Sequence, residues 1–182
     1  MKFKIGEKKI IFRGKHLTIW STDFLDKDGK PGSWEYVGKN DVVMVLPITK
    51  EGNVILEKIY RVPLEQYVIE APAGLMDKDG EEPETAARRE LLEETGYIAD
   101  KIHAIPAWPY RTGTSKNKVY GFIATGLTKV NDDRGDETED IELLEVRLKD
   151  LAKFWLELKD GVLFQPEIVA MYDAAIAMGI LS

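Results

Sequence analysis

Residues 74–97 read GLMDKDGEEPETAARRELLEETGY, and the rest of the fold is organised around this stretch. Its polar, turn-rich first part predicts a loop, and the remainder predicts a helix that begins near Glu84. Pro83 suits the first turn of a helix, because the N–H that proline lacks would have no partner there. Gly96 follows the last predicted turn, where a glycine commonly ends a helix. The stretch therefore predicts a loop that leads into one well-bounded helix.

Glu90, Glu93 and Glu94 share one face of the predicted helix, within an arc of about 100°. Like charges at this spacing repel by roughly 0.2–0.5 kcal/mol per pair, and they lie at the negative end of the helix dipole. One interpretation is a solvated, salt-bridged surface helix. The other is a divalent cation held by oxygen ligands, for which Mg²⁺ or Mn²⁺ is suited because both also bind substrate phosphates. Arg89, four residues before Glu93, is placed to hold that carboxylate.

Composition limits the classes of protein and partner to be considered. At 182 residues, the chain is long enough for one well-buried core with a small appended unit. It has no run of about 18 apolar residues and no apolar core near its start, so we expect neither a membrane span nor a secretion signal. The net charge of −7 argues against a general nucleic-acid binder, and the absence of cysteine agrees with a cytoplasmic location.

The first 39 residues alternate strand-like runs with turns and predict a small antiparallel β unit. The strand-like runs are KKIIF, HLTIWST and SWEYVGK, and DKDGKPG is a hairpin turn between the last two. A unit this small is seldom stable alone, so we expect it to pack on something. We therefore divide the chain into an N-terminal β hairpin subdomain, residues 1–39, and a main domain, residues 40–182.

The main domain carries mixed strands followed by helices, an order typical of an α+β fold or an α/β/α sandwich. DVVMVLPIT and NVILEKIY predict two buried strands joined by a hairpin, and VYGFIATGL and IELLEVRL predict two later strands. LAKFWLELKDG predicts a helix that ends at Gly161, and QPEIVAMYDAAIAM predicts a second helix.

The glutamate-bearing helix resembles the Nudix box, whose pattern is Gly, five residues, Glu, seven residues, then Arg-Glu-apolar-x-Glu-Glu-x-Gly-apolar. Residues 89–97, RELLEETGY, match the second half at every fixed position, and Glu81 stands eight residues before Arg89. Six residues instead of five separate Gly74 from Glu81, which we expect to change the shape of the loop and not metal ligation. The resemblance implies a Nudix α/β/α sandwich with a mixed sheet, preceded by the small β unit.

The resemblance also implies a metal site and a general base. Mg²⁺, or Mn²⁺, would be held by the three glutamates and by the backbone carbonyl of Ala73, and Glu93 is also counted as catalytic. Family members need a further carboxylate, on the loop after the late core strand, to orient or deprotonate the attacking water. In GDETEDIE at 135–142 our first choice is Glu139 and our second is Glu137. The alternative is that the acids of this loop only keep it solvated.

Two further strings are similar to those of the ADP-ribose pyrophosphatase branch of the family, namely EAPAGL at 70–75 and YRVP at 60–63. In this branch the arginine of the second string contacts the diphosphate or the nucleotide end, which implies that role for Arg61. The resemblance likewise implies substrate contacts for Glu70 and for Leu75, which can pack on the base. Taken alone, Arg61 would be a solvated arginine at a strand end.

The N-terminal hairpin supplies more substrate candidates. SWEYV at 33–37 resembles a tryptophan-glutamate pair of the same branch, so that Trp34 would stack on a base and Glu35 would accept a hydrogen bond from an exocyclic amine. Lys39 would approach the nucleotide. The alternative is that Trp34 packs on the sheet. In family members this hairpin crosses to the other subunit, which implies a homodimer.

AWPYRTGTS at 107–115 aligns with the substrate loop of the branch, but it places Tyr110 and Arg111 inside the usual Pro-Gly-rich string. Arg111 could contact a sugar or phosphate group of the substrate. Such a contact would change the choice of substrate from ADP-ribose.

The sequence thus favours Mg²⁺-dependent hydrolysis of nucleoside diphosphate sugars, such as ADP-ribose or GDP-mannose, to a nucleoside monophosphate and a sugar phosphate. Among enzymes, the alternatives are hydrolysis of oxidised nucleotides and decapping of RNA, and the PAGL string and the hairpin argue against both. From another class, a catalytically silent nucleotide-sensing module is the alternative, and the intact set of glutamates argues against it.

Overall fold

The computed structural model describes residues 2–15, 17–38, 40–131 and 141–181. Within these ranges the chain forms strands, three α-helices, and short 3-10 turns at Val62–Leu64 and Leu148–Asp150. In chain order the strands and helices are β1 (Lys4–Arg13), β2 (Thr18–Leu25), β3 (Pro31–Val37), β4 (Val42–Pro47), β5 (Asn53–Arg61), β6 (Gln66–Glu70), β7 (Ala73–Leu75), α1 (Pro83–Thr95), β8 (Tyr97–Ala104), β9 (Trp108–Pro109), β10 (Lys118–Lys129), β11 (Ile141–Arg147), α2 (Leu151–Leu156), β12 (Val162–Phe164) and α3 (Glu167–Ala177). The helices in these ranges are all too short or too polar to cross a membrane.

The contacts divide the chain into two compact units. The first combines Met1–Val42 with Trp108–Val119, and the second combines Val43–Ala107 with Tyr120–Ser182. The sequence-based boundary at residue 39 remains a prediction. The sequence gives no local signal that Trp108–Val119 belongs to the first unit, because this segment joins the unit only through hydrogen bonds with residues far away in the chain.

The first unit is an antiparallel sheet of order β1-β2-β3. The later segment attaches to its third strand, since the N–H of Val37 donates to the carbonyl of Thr114 at 2.8 Å. The carbonyl of Val37 in turn accepts from the N–H of Lys116 at 3.2 Å. The predicted antiparallel β unit is therefore present, and it is completed by residues about 80 positions away in sequence.

Two sheets build the rest of the fold. One has the order β7-β4-β10-β8, with β9 beside the start of β10, and the other has the order β11-β5-β6-β12. In the second sheet β12 runs parallel to β6, whereas β5 pairs antiparallel with both of its neighbours. The predicted α+β class, with a mixed sheet and an N-terminal antiparallel sheet, is confirmed.

Helix α1 packs on the first of these two sheets through its small and apolar residues. The shared core contains Val43 and Val45 of β4 and Leu91 of α1, together with Ala86, Ala87, Phe122 and Ala124. Met44 and Leu46, which alternate with these β4 residues, are also buried, so both faces of the strand are covered. The sheet therefore buries one face of α1 between Ala86 and Leu91.

Four short elements differ from the sequence-based expectations. Helix α2 ends at Leu156 and not at Gly161, and β6, β7 and β12 were not predicted. Each of these strands has only three to five residues, so the local propensity gives a weak signal. Pairing with a neighbouring strand decides their conformation instead.

The end of α1 gives a stability prediction. Gly96 has φ 74°, and a Cβ there would lie 2.3 Å from the carbonyl oxygen of Asn131, whereas Gly80 has φ 75° with open space around it. Both alanine substitutions pay for a left-handed backbone, about 1–2 kcal/mol. Gly96→Ala should lower the free energy of unfolding by clearly more than Gly80→Ala, as measured by urea denaturation. Equal losses would show that the crowding at Gly96 relaxes without cost.

Candidate active site

The site lies where helix α1 packs against the short strand β7. Pro83 opens the helix after an extended Glu82, and Gly96 closes it in the left-handed conformation. Ala86, Ala87 and Leu91 face the core, which leaves Glu90 and Glu94 at the edge of the buried face, each about 8% exposed. The helix therefore presents two nearly buried carboxylates to the segment that precedes it.

Gly74 allows the backbone of β7 to lie directly against Glu90. A Cβ at position 74 would be 2.0 Å from the carboxyl carbon of Glu90 and 2.1 Å and 2.4 Å from its oxygens. Any side chain at residue 74 would therefore have to displace this carboxylate. Burial raises the pKa of Glu90 above its ordinary value, and the neighbouring Arg89 opposes the rise.

Glu94 makes the second contact between the helix and this segment. Its Oε2 accepts a hydrogen bond from the backbone N–H of Ala73 at 2.8 Å. Since Ala73 and Gly74 are adjacent, the two carboxylates hold consecutive residues of one strand. Ala73, whose backbone carbonyl is predicted to bind the metal, therefore lies beside two of the predicted glutamate ligands.

Arg89 supplies the positive charge that these carboxylates require. Its Nε and Nη2 donate to the two oxygens of Glu81, each at 3.0 Å. Its Nη1 donates to Glu90 at 2.6 Å and to Glu93 at 3.0 Å, so the predicted contact with Glu93 is present. The bond with Glu81 is the largest cause of the raised pKa of Arg89, and it lowers the pKa of the Glu81 carboxyl. One guanidinium is thus shared among three carboxylates.

The donors on this helix fit a hard divalent cation. They are carboxylate oxygens, partly shielded from water, beside a strand whose glycine permits close approach of the backbone. In the described part of the chain, no group of three acidic or histidine side chains converges on one point as the residues stand. The reason is visible in their bonds, because Glu93 turns toward Arg89 and Glu94 toward the N–H of Ala73. Ligation by the three glutamates therefore stays a prediction.

Arg61 lies at the end of β5 and forms a two-point ion pair with Glu70. Nε and Nη2 of Arg61 donate to the two carboxylate oxygens of Glu70 at 3.0 Å and 2.6 Å. Both residues were predicted to contact substrate. In the structure Glu70 orients the guanidinium of Arg61, and planar two-point bonding of this kind fixes the direction of the remaining N–H groups. Leu75, the next predicted contact, is half-exposed at the end of β7.

In the first unit, Trp34 neither packs into the sheet nor points freely into solvent. Its indole N–H donates to the carbonyl of Gly113 at 2.8 Å, while 57% of the residue remains exposed. It lines a cavity of about 210 Å³ together with Tyr36, Thr112, Gly113, Ser115 and Lys116. An indole fixed at its edge leaves a ring face open for stacking. Glu35 alternates with Trp34 along β3 and so projects from the opposite face of the sheet.

Arg111 lies in the later segment of the same unit. Its guanidinium lies 5.8 Å from the centre of the Tyr110 ring, and its carbonyl accepts from the N–H of Thr114 and of Ser115. The backbone turn at Arg111 therefore shapes the wall of the cavity, and the side chain is exposed. Its contact with substrate stays a prediction.

Three predicted residues, Lys39, Glu137 and Glu139, lie outside the described residues. The assignment of the general base therefore stays a prediction.

Sequence reasoning missed one residue that contacts the site segment. The side-chain oxygen of Gln165 accepts a hydrogen bond from the backbone N–H of Ala71 at 3.1 Å. Gln165 is 94 residues away in sequence and belongs to no recognisable motif. Only the parallel pairing of β12 with β6 brings it there.

Comparison with known proteins agrees with this geometry. The NUDIX domain pattern matches residues 38–171. The ADP-ribose pyrophosphatase of Bacillus subtilis (strain 168) is 41% identical over 147 residues, which cover 80% of this chain and 79% of that protein. The methanol dehydrogenase activator of Bacillus methanolicus is 32% identical over 145 residues, 79% of this chain and 78% of that protein.

A solved structure described as an ADP compounds hydrolase has the same fold. It aligns with a TM-score of 0.73 and 26% identity over 84% of both chains. The predicted family and sandwich fold are confirmed. Because the domain pattern covers residues 38–171, well over half of the chain, and a relative at 41% identity covers four fifths of the sequence, the chain belongs to the Nudix family.

Proposed function

We propose that this protein hydrolyses the pyrophosphate bond of nucleoside diphosphate sugars, such as ADP-ribose or GDP-mannose. The products are a nucleoside monophosphate and a sugar phosphate. The observation that carries the proposal is the pair of nearly buried carboxylates, Glu90 and Glu94, held against the backbone of Ala73 and Gly74. The similarity to an ADP-ribose pyrophosphatase supports the choice of substrate class.

Glu90, Glu93, Glu94 and the carbonyl of Ala73 would hold Mg²⁺, with Mn²⁺ as the substitute. When bound, such an ion neutralises diphosphate charge and lowers the pKa of a coordinated water. The protein's part is to keep the carboxylates close together before the ion binds. Arg89 does so by neutralising part of their charge through its bonds to Glu90 and Glu93.

Arg61 is the proposed partner of the anionic part of the substrate. Its two bonds to Glu70 occupy one edge of the guanidinium and keep the side chain extended at the end of β5. A guanidinium held in this way binds a diphosphate without first losing side-chain freedom. We assign Glu70 the role of orienting Arg61 and Leu75 that of an apolar contact for the substrate.

A carboxylate accepts the proton of the attacking water. At the same time the water oxygen bonds to phosphorus, and the bond from phosphorus to the bridging oxygen breaks. We assign this role to Glu139, with Glu137 as the second choice. Glu93 is the most exposed of the three helix glutamates and is also placed among the catalytic residues.

The base-binding residues are assigned to the first unit. Trp34 offers an exposed ring face, and stacking on an aromatic side chain contributes about 1–3 kcal/mol per base. Lys39 is proposed to contact the nucleotide, and Arg111 the sugar or phosphate. Glu35 is proposed to contact a nucleotide on the other face of β3, away from the cavity that Trp34 lines. The cytoplasmic location stays a prediction.

A homodimer formed through the first unit is part of the proposal. Every residue of the edge strand β1 is exposed, including Ile5, Ile11 and Phe12. A long edge strand with apolar side chains is a surface that proteins usually cover. A second copy of the chain would cover it.

Turnover of a panel of nucleoside diphosphate sugars tests the function directly. With Mg²⁺ present, anion-exchange chromatography of the products should detect nucleoside monophosphate and sugar phosphate in equal amounts. Glu94→Gln should lower kcat by about 100-fold or more, because the charge that it removes is worth several kcal/mol in the transition state. Glu84→Gln, on the exposed side of the same helix, is the control and should keep wild-type turnover. Comparable rates in both variants would exclude the helix from the mechanism.

Gly74→Ala tests the close approach of β7 to the helix. The added methyl group occupies the position of the Glu90 carboxylate, so the side chain must move by an ångström or more. We expect kcat to fall by about 100-fold with the circular dichroism spectrum unchanged. An active Gly74→Ala protein would show that the position of Glu90 does not matter for turnover.

Light scattering after gel filtration tests the dimer. The wild-type protein should have twice the 20.6 kDa mass of the chain. Ile11→Asp should shift it toward the monomer, since a charge is costly in an apolar interface. Lys8→Asp on the same exposed strand is the matched control and should remain dimeric. A monomeric wild-type protein would refute this part of the proposal.

A further inference from the structure

The segment Ala71–Gly74 is held from three directions by backbone groups. The carbonyl of Pro72 accepts from the N–H of Val45 in β4 at 2.8 Å, and the N–H of Ala73 donates to Glu94 in α1. The third bond is the one from the N–H of Ala71 to the side-chain oxygen of Gln165. The first two bonds connect the segment to the sheet and to the helix, and the third connects it to the C-terminal part of the chain.

A side chain makes the third bond because the backbone ladder ends there. Strand β12 pairs with β6 in parallel as far as Phe164 and Ile69, and the N–H of Gln165 then donates to the carbonyl of Ile69 at 2.9 Å. Pro166 follows and turns the chain into α3, so the backbone of β12 does not continue beside Ala71. The amide oxygen of Gln165 takes the place of the missing backbone acceptor.

Loss of this hydrogen bond would leave the buried N–H of Ala71 without its acceptor. While the bond is present, the core holds Gln165 in place. Ala71 is about 1% exposed, so water does not readily satisfy its N–H. The carbonyl of Gln165 accepts from the N–H of Ile168 at 3.2 Å, and Ile168 is fully buried in the core. Gln165 therefore transmits the fixed position of α3 to Ala71, two residues before the contact with Glu94.

We propose that Gln165 is a positioning residue for the active site: its side-chain oxygen fixes Ala71 so that Ala73 and Gly74 meet the carboxylates of Glu94 and Glu90. The effect on turnover rests on the proposed function, whereas the effect on the segment does not. Gln165 touches none of the reacting atoms in this scheme and acts through the backbone of residues 71–74.

Two substitutions separate the hydrogen bond from the bulk of the side chain. Gln165→Met keeps the length of the side chain and removes the acceptor, and Gln165→Glu keeps an acceptor oxygen at the same position. Asn53→Met is the matched control, because it removes a side-chain hydrogen bond, to Glu145 at 2.7 Å, from the opposite end of β5 in the same sheet. All three proteins lose or alter one polar contact of that sheet.

Amide hydrogen exchange, followed by mass spectrometry of peptides that contain residues 70–76, is the first measurement. Exchange should be roughly tenfold faster in Gln165→Met and unchanged in Gln165→Glu and Asn53→Met. In the nucleoside diphosphate sugar assay, kcat of Gln165→Met should fall by about tenfold and the Mg²⁺ concentration for half-maximal rate should rise. KM should stay within about twofold, since Arg61 and Trp34 are untouched.

Unchanged exchange at residues 70–76 in Gln165→Met would overturn the proposal, as would a Gln165→Glu protein that behaves like Gln165→Met. Faster exchange with wild-type kcat would also overturn it, because the segment would then be loosened without consequence. A wild-type protein without turnover would refute the proposed function, and the exchange comparison would still decide whether Gln165 holds the segment.

Discussion

The shared guanidinium of Arg89 is the interaction on which the rest of the site depends. Glu81, Glu90 and Glu93 all bond to it, and Glu94 lies one turn beyond Glu90. Without this cation, carboxylates at the edge of the core would repel one another. With it, part of their negative charge is neutralised where they stand. The helix is thus stable in the absence of a ligand and able to accept one.

The same carboxylates also determine the path of the chain ahead of the helix. The strand β7 has only three residues and a glycine at its centre, so it has little stability of its own. Besides its pairing with β4, it is held in place because Glu90 occupies the space beside Gly74 and Glu94 accepts from the N–H of Ala73. The carboxylates of Glu90 and Glu94 therefore serve both the fold and the proposed chemistry, so a substitution at either residue should affect both.

The sequence predicted the parts of the site that are close together in the chain. The spacing of Glu90, Glu93 and Glu94, the start at Pro83 and the end at Gly96 all follow from the period of one helix, and the structure has them. The pairing of Arg61 with Glu70 was not foreseen, because no local period relates the two: Arg61 stands opposite Gln66 in the pairing of β5 with β6, and its guanidinium bonds to Glu70, four residues farther along β6. Gln165 was invisible for the same reason, since its partner is set by a parallel pairing across 94 residues. Local periodicity could predict elements, and it could not predict register.

The bond between the indole of Trp34 and the carbonyl of Gly113 has a consequence for how the chain folds. It spans 79 positions, so the first unit cannot be completed until its second segment has been synthesised. At about 5–20 residues per second, that delay is roughly 4–16 s after Trp34 has been joined to the chain. During this time the aromatic hairpin lacks its covering loop, whereas β4 with β7, and β5 with β6, are already available to pair. The second unit also needs Tyr120–Ser182, which are synthesised later still, so we expect the first unit to close on its late segment before the second unit is complete. Pulse-proteolysis of stalled nascent chains would resolve this order.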